Sequence, residues 1–188
     1  MILEQLILSL QDHITAFPED QEATEQVIAW IEKYREFAFV KDNLEGHLTG
    51  SMIITNPSRT KVLLMLHKKF QRWQQFWGHC DGEIDVGNVA IREFHEESGI
   101  ALEPSLFPWI LHVDVHNVPI DSKGRPAHLH LDLLYLGSIP EDTVFFRQES
   151  EVDDIRWFTL DEALEKNDEH LMSTAITKIR NIIFLWKI

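Results

Sequence analysis

The 188-residue chain contains one cysteine, Cys80, so no internal disulfide can form. Positive charge is also scarce: 17 Lys and Arg stand against 31 Asp and Glu, for a formal net charge of −14. A nucleic-acid polymer is therefore not the expected partner, because such binding draws on Lys and Arg to release counterions. Small anions remain open, since an acidic site can hold them through a divalent cation. The longest apolar runs, Val62–Leu66 and Ile182–Trp186, reach about five residues, where a membrane-spanning helix needs about 20. No membrane association is expected. Met1-Ile2-Leu3-Glu4 carries an early acid and no basic leader, which does not fit a secretion signal. With the lone cysteine, this points to a reducing cytoplasm. Internal repeats and low-complexity segments are absent.

What is present suits one domain with a modest appendage: the hydrophobic fraction is 44%. Ile2, Leu3, Leu6, Ile7, Leu10 and Ile14 form one helical stripe, broken by Phe17-Pro18. A second helix is expected from about Asp20 to Phe37, with Ala23, Val27, Ile28, Ile31 and Tyr34 on one side. Two such helices lack a core of their own, so residues 1–40 read as an N-terminal helical appendage to a domain at 41–188. From Gly46 the period becomes that of strands, expected at His47–Thr55, Val62–His67, His112–Val118, His128–Leu136 and Asp154–Leu160. Leu171–Trp186 is expected to be helical. Strands interleaved with a few helices give an α+β fold, a mixed β-sheet flanked by helices.

The chemistry concentrates in residues 77–100. Trp77-Gly78-His79-Cys80-Asp81-Gly82 is glycine-rich and loop-like. Asp85 suits an N-cap and Gly99 a C-terminal cap of a helix between them. On that helix Glu93 and Glu97 fall on one line, with Glu96 beside them. Val86, Ala90, Ile91 and Phe94 extend the same side toward a core, so the acids border a buried face. Like charges so placed repel unless neutralised. A hard cation, Mg²⁺ or Mn²⁺, would neutralise them through oxygen ligands. Arg92 assists as an i,i+4 partner of Glu96. The plainer alternative is a solvated acidic face, disfavoured by the caps, the glycine loop and the apolar neighbours.

Arg92-Glu93-Phe94-His95-Glu96-Glu97-Ser98-Gly99-Ile100 resembles the second half of the Nudix box, Gly-x5-Glu-x7-Arg-Glu-U-x-Glu-Glu-x-Gly-U, with U bulky and apolar. Gly78 falls on its first glycine. The early glutamate of the pattern falls on Ile84, flanked by Glu83 and Asp85, and the Gly-His-Cys-Asp-Gly loop is similar to a variant Nudix subgroup. The resemblance spans residues 46–162 and includes Ile155-Arg156-Trp157-Phe158 as a typical late strand. It implies an α/β/α sandwich and hydrolysis of a diphosphate linkage in a nucleoside diphosphate derivative or related small pyrophosphate. By the same resemblance, Glu96 and Glu97 would ligate Mg²⁺. Glu93 would ligate the metal or orient the attacking water, and the Trp77 carbonyl would be the loop ligand. Arg92 would hold the glutamates, and Glu151, ahead of Glu149, would be the later carboxylate.

Other residues carry a second pattern. His112, Asp114 and His116 alternate along one expected strand, and His128, His130 and Asp132 along another. Paired as a hairpin, they could line a wall that holds a second metal, reads phosphate, or simply faces solvent. Substrate binding is the favoured role for His128 and His130, with Trp77, His79 and Lys69 of the nearby basic cluster. Trp73, Phe76, Trp77 and Trp109 are candidates to stack on a base, or to fill the core. The His79-Cys80 pair invites an alternative, an isopentenyl-diphosphate isomerase-like enzyme, against which the intact glutamates speak. A Nudix-like binding module is the non-enzyme alternative. The helical appendage leaves a homodimer open.

Overall fold

The expected N-terminal stripe forms helix α1 (Ile2–Ala16), which buries Leu3 and Leu10. Across the Phe17-Pro18 break, helix α2 (Gln21–Tyr34) buries Val27 and Ile31. It stops short of the expected Phe37. Arg35 takes a positive φ of 52°, and Arg35–Phe39 tightens into a 3-10 turn that drives Ala38 and Phe39 into the core. Burying those two side chains overrides the continuing helical pattern. The computed structural model describes residues 2–102, 109–120 and 124–185. Trp186 and part of the 119–127 loop therefore lie outside the described residues.

Seven strands form one mixed sheet among the described residues: β1 (Gly46–Thr55), β2 (Lys61–His67), β3 (Arg72–Gln74), β4 (Phe76–His79), β5 (Ile110–Val118), β6 (His128–Ser138) and β7 (Val152–Thr159). β1 lies parallel to β6 over its whole length. On its other side β1 meets β2 only at Ile54–Leu63 and Thr55–Val62. β4 takes the remaining place beside it, with Gly50 opposite Gly78. β4 corrects the expectation of a loop at residues 77–79. Two glycines facing each other carry no alternation to read, yet they suit a strand approached by a backbone. A Cβ on Gly50 would lie 2.8 Å from the Val86 carbonyl of helix α3 (Val86–Ser98), so the helix sits directly on this pair.

Two apolar layers enclose the sheet. On one side α1, α2 and α3 pack Val27, Ile31, Val89 and Phe94 against Leu48, Met52, Leu131 and Leu133. On the other, helices α4 (Leu160–Lys166) and α5 (His170–Leu185) pack Ala163, Met172, Ile176 and Ile179 against Ile53, Val62, Leu64 and Leu134. The expected strand over Asp154–Leu160 thus ends at Thr159, where α4 begins. Thr159 and Glu162 form a reciprocal capping box there. The expected helices, mixed sheet and α/β/α layering are all present.

The N-terminal helices are pinned to the outer edge of β5 by one buried carboxylate. Asp20 accepts hydrogen bonds from the Val113 N–H at 3.1 Å and Lys178 Nζ at 2.6 Å, and its carboxylate also meets the rings of His13 at 2.7 Å and His112 at 2.9 Å. Lys178 also donates to the Leu111 carbonyl at 3.1 Å. Backbone groups on a sheet edge that would otherwise lack partners are thereby satisfied.

Candidate active site

Helix α3 is built as its caps predict. The Asp85 side chain accepts from the Asn88 N–H at 3.1 Å, worth about 1 kcal/mol. Gly99 closes the other end at φ 70°. The helix lays Glu93 and Glu97 against β4. Glu97 is only 2% exposed, and its Oε2 accepts from the Trp77 N–H at 3.2 Å. Glu93 reaches under Gly78, where a Cβ would come within 2.0 Å of the Glu93 carboxyl carbon. Glycine at position 78 thus leaves the space that the carboxylate occupies.

Arg92 ties the cluster together. Its Nη2 donates to Glu93 at 2.9 Å and to the His79 carbonyl at 3.0 Å, and its Nη1 donates to Glu83 at 2.6 Å. Glu96, half-exposed, is 3.8 Å from the guanidinium. The carboxylate beside the arginine is therefore Glu83, one residue before Ile84. The turn at Asp81 and Gly82, both at positive φ, leads the chain into this position. Ile84 instead packs against the core.

The electrostatics are those of a site short of positive charge. Burial, reinforced by the charge of Glu93, pushes the Glu97 carboxyl up to about 9, against the opposing Trp77 N–H. Burial also raises Glu93, with Arg92 pulling the other way. Glu151, on the loop before β7, adds its negative charge to both. One guanidinium serves three carboxylates, and the ligand atoms the cluster offers are oxygens. Such a set fits a hard divalent cation.

The remaining predicted residues divide. Trp77 is half-buried, its ring 5.6 Å from His79 and 5.7 Å from His130. Phe70 lies 6.4 Å from Trp77 on the side of the β2–β3 turn, with Lys69 Nζ over the Phe70 ring. Lys69 makes no described contact with the glutamates. Lys68 is held by the Glu149 carbonyl at 2.7 Å. Phe76 is a core residue, buried edge-on to Phe94; Trp73 is partly buried and packs on Phe158; Trp109 is exposed. Burial drives the Cys80 thiol far above its usual range, which leaves it no nucleophile.

The histidine wall is also divided. β5 and β6 do pair as an antiparallel hairpin, with Asp114 opposite Asp132 and His116 opposite His130. His112, however, turns to Asp20 and Lys178. The residues that join His116, His128 and His130 are His79 of β4 and His47 of β1, opposite His130 in the parallel register. Sequence reasoning missed His47. Its only signal was the phase of β1, and the pairing of β1 with β6 is a long-range fact.

Comparison with known proteins agrees with this architecture. A family model of the NUDIX domain matches residues 47–178. A Lactococcus lactis subsp. cremoris (strain MG1363) protein named "Probable DHNTP pyrophosphohydrolase" is 26% identical over 159 residues, covering 84% of this chain and 89% of its own. Among the solved structures that share the fold are two hydrolases. The E. coli dihydroneopterin triphosphate pyrophosphohydrolase has a TM-score of 0.55 at 15% identity, over 69% of this chain and 91% of its own. A NUDIX-family hydrolase from Clostridium perfringens has a TM-score of 0.53 at 19% identity, over 72% and 97%. With most of its length under the family model and its glutamate helix in place, the chain belongs to the NUDIX domain family and is a Nudix hydrolase.

Proposed function

We propose that the protein hydrolyses a diphosphate linkage in a nucleoside diphosphate derivative or a related small pyrophosphate, with Mg²⁺, or Mn²⁺ in its place. The observation that carries this reading is the buried Glu97 beside Glu93 and Glu96, a carboxylate cluster with one arginine to balance it. Glu96, Glu97, Glu93 and the Trp77 carbonyl would hold the cation. When bound, that cation lowers the pKa of water, polarises the phosphoryl oxygen and neutralises the leaving group. Glu93 orients the attacking water and Arg92 fixes Glu93. A new O–P bond forms as the bridging P–O bond breaks, and the water proton passes to a carboxylate. Glu151 is the candidate base, supported by its influence on both buried glutamates.

Trp77, His79, His130 and His128 would border the non-phosphate part of the substrate, and Lys69 would meet phosphate at the rim beside Phe70. The Lactococcus lactis relative's name makes dihydroneopterin triphosphate the first substrate to test, followed by nucleoside triphosphates and nucleoside diphosphate sugars. The single buried cysteine and the absence of a long apolar helix among the described residues suit work in the cytoplasm.

The test is a substrate panel with Mg²⁺, followed by phosphate or pyrophosphate release. Glu97→Gln should lower kcat by roughly 100- to 1,000-fold, the scale of one essential electrostatic group, while its circular dichroism matches the parent. Equal rates for parent and Glu97→Gln would remove the proposal.

A further inference from the structure

A second cluster lies on the opposite face of β4 from the glutamates. Side chains alternate along a strand, so Gly78 faces α3 while His79 and Trp77 face away. In-register pairing places His47, opposite His130, on that same face, and Thr49, opposite both His79 and Asp132, continues it. One ring nitrogen from each of His47, His79 and His130 lies within 4.8 Å of the others. His47 is fully buried, and neither of its ring nitrogens makes a hydrogen bond of ordinary geometry, the Asn43 backbone acting on the ring only weakly. His130 is 6% exposed. A buried imidazole without a partner is costly, by roughly 1–3 kcal/mol for each unsatisfied group. Two more imidazoles at its edge do not repair that unless something sits between them.

We propose that His47, His79 and His130 form a second metal site, separate from the glutamate cluster, that takes a late first-row divalent cation such as Zn²⁺. Imidazole suits zinc, whereas the oxygen-only cluster across the strand suits Mg²⁺. Zn–N bonds of about 2.0–2.1 Å at tetrahedral angles need ligand atoms about 3.3 Å apart. Three protein ligands leave a fourth position for water or a substrate oxygen.

The surroundings fit such a site. His128 stacks on His47 at 5.1 Å and donates from Nδ1 to the Pro126 carbonyl at 2.8 Å. That hydrogen bond orients the ring beside the three ligands. The positive field of Arg125 at His47 and His79 works against a cation, and Asp81 offsets it at His79. Asp132 adds a buried carboxyl, whose Oδ1 accepts from Thr49 and Ser51 at 2.7 Å, and whose Oδ2 has no partner. The site depends on the imidazoles alone and stands whether or not the diphosphate reading holds.

The test is calorimetric titration of the chelator-stripped full chain with Zn²⁺, under excess Mg²⁺ to occupy the carboxylates. One zinc per chain with sub-micromolar affinity is expected. His47→Gln and His130→Gln should each weaken it by more than about 100-fold, beyond the 10- to 100-fold effect of outer-shell changes. Glu97→Gln should retain it. X-ray absorption of the zinc-loaded parent requires no variant to fold, and should show imidazole nitrogens in the first shell. An oxygen-only shell, zinc binding unaffected by His47→Gln, or no binding tighter than about 10 μM each overturns the site; that affinity is near 7 kcal/mol, weak for three converging imidazoles.

Discussion

Arg92 touches Glu83, Glu93 and the His79 carbonyl at once, so its geometry depends on a carboxylate that the box pattern puts one residue later. Glu83→Gln should lower kcat/KM by roughly 10- to 100-fold, the range for a partner acting through another group. Ile84→Val should change it less than about 2-fold, because Ile84 packs inward. Steady-state kinetics on the two variants checks the assignment. Asp20 has a different importance. Burial pushes its carboxyl up, but hydrogen bonds with His112, His13 and Lys178 outweigh this and hold it well below the usual 3.8. A depressed folded-state pKa gives stability that is present above 3.8 and lost as pH falls below it. Melting temperature should therefore drop below about pH 4 in the parent and much less in Asp20→Asn. At pH 7 the variant should lose about 3 kcal/mol, since Lys178 would keep a buried charge with only the exposed Glu19 at 3.7 Å to balance it.

At the scale of elements, the contact of α3 with β1 and β4 runs through two glycines that fail in different ways. At Gly50 an added methyl meets backbone, the Val86 carbonyl at 2.8 Å and the Ala90 nitrogen at 3.1 Å, so the helix itself must shift. Gly50→Ala should lower the melting temperature by about 5 °C or more, at 2–4 °C per kcal/mol for this chain length. At Gly78 the methyl meets only the end of the Glu93 side chain. Gly78→Ala should leave melting within about 3 °C of the parent but lower kcat by about 100-fold by displacing the carboxylate. Thermal melts and kinetics on both variants separate the two effects. The same contact explains what the sequence did and did not reveal of α3. Its period and caps were legible because they are local. β4 was not, because four residues containing a glycine become a strand only when β1 lies alongside.

Across the whole molecule, the N-terminal helices share one apolar core with the sheet, and their corner at Asp20 satisfies the β5 edge. Deleting residues 1–40 would remove Val27, Ile31, Ala38 and Phe39 from the shared core and strip that edge of its partners. The truncated chain should aggregate on gel filtration rather than elute as a folded domain. The net charge of −14 also finds locations. Glu83, Glu93 and Glu96 surround one arginine, Glu97 lies buried beside them, and Asp20 anchors the corner. Surface pairs such as Lys61–Glu141 are exposed and contribute little to stability.

By itself the sequence determined the helices, most strands, the glutamate face of α3 and the family resemblance. Each rests on periodicity, caps or fixed spacing within about 25 residues, which act before the chain is folded. Tertiary structure alone decided that Glu83 serves Arg92, that His112 leaves the histidine wall for Asp20, and that His47, His79 and His130 meet. Those contacts depend on β1 pairing with β4 on one side and β6 on the other. His47 and His130 are 83 residues apart in the chain, and no local pattern encodes which strand a given residue will face.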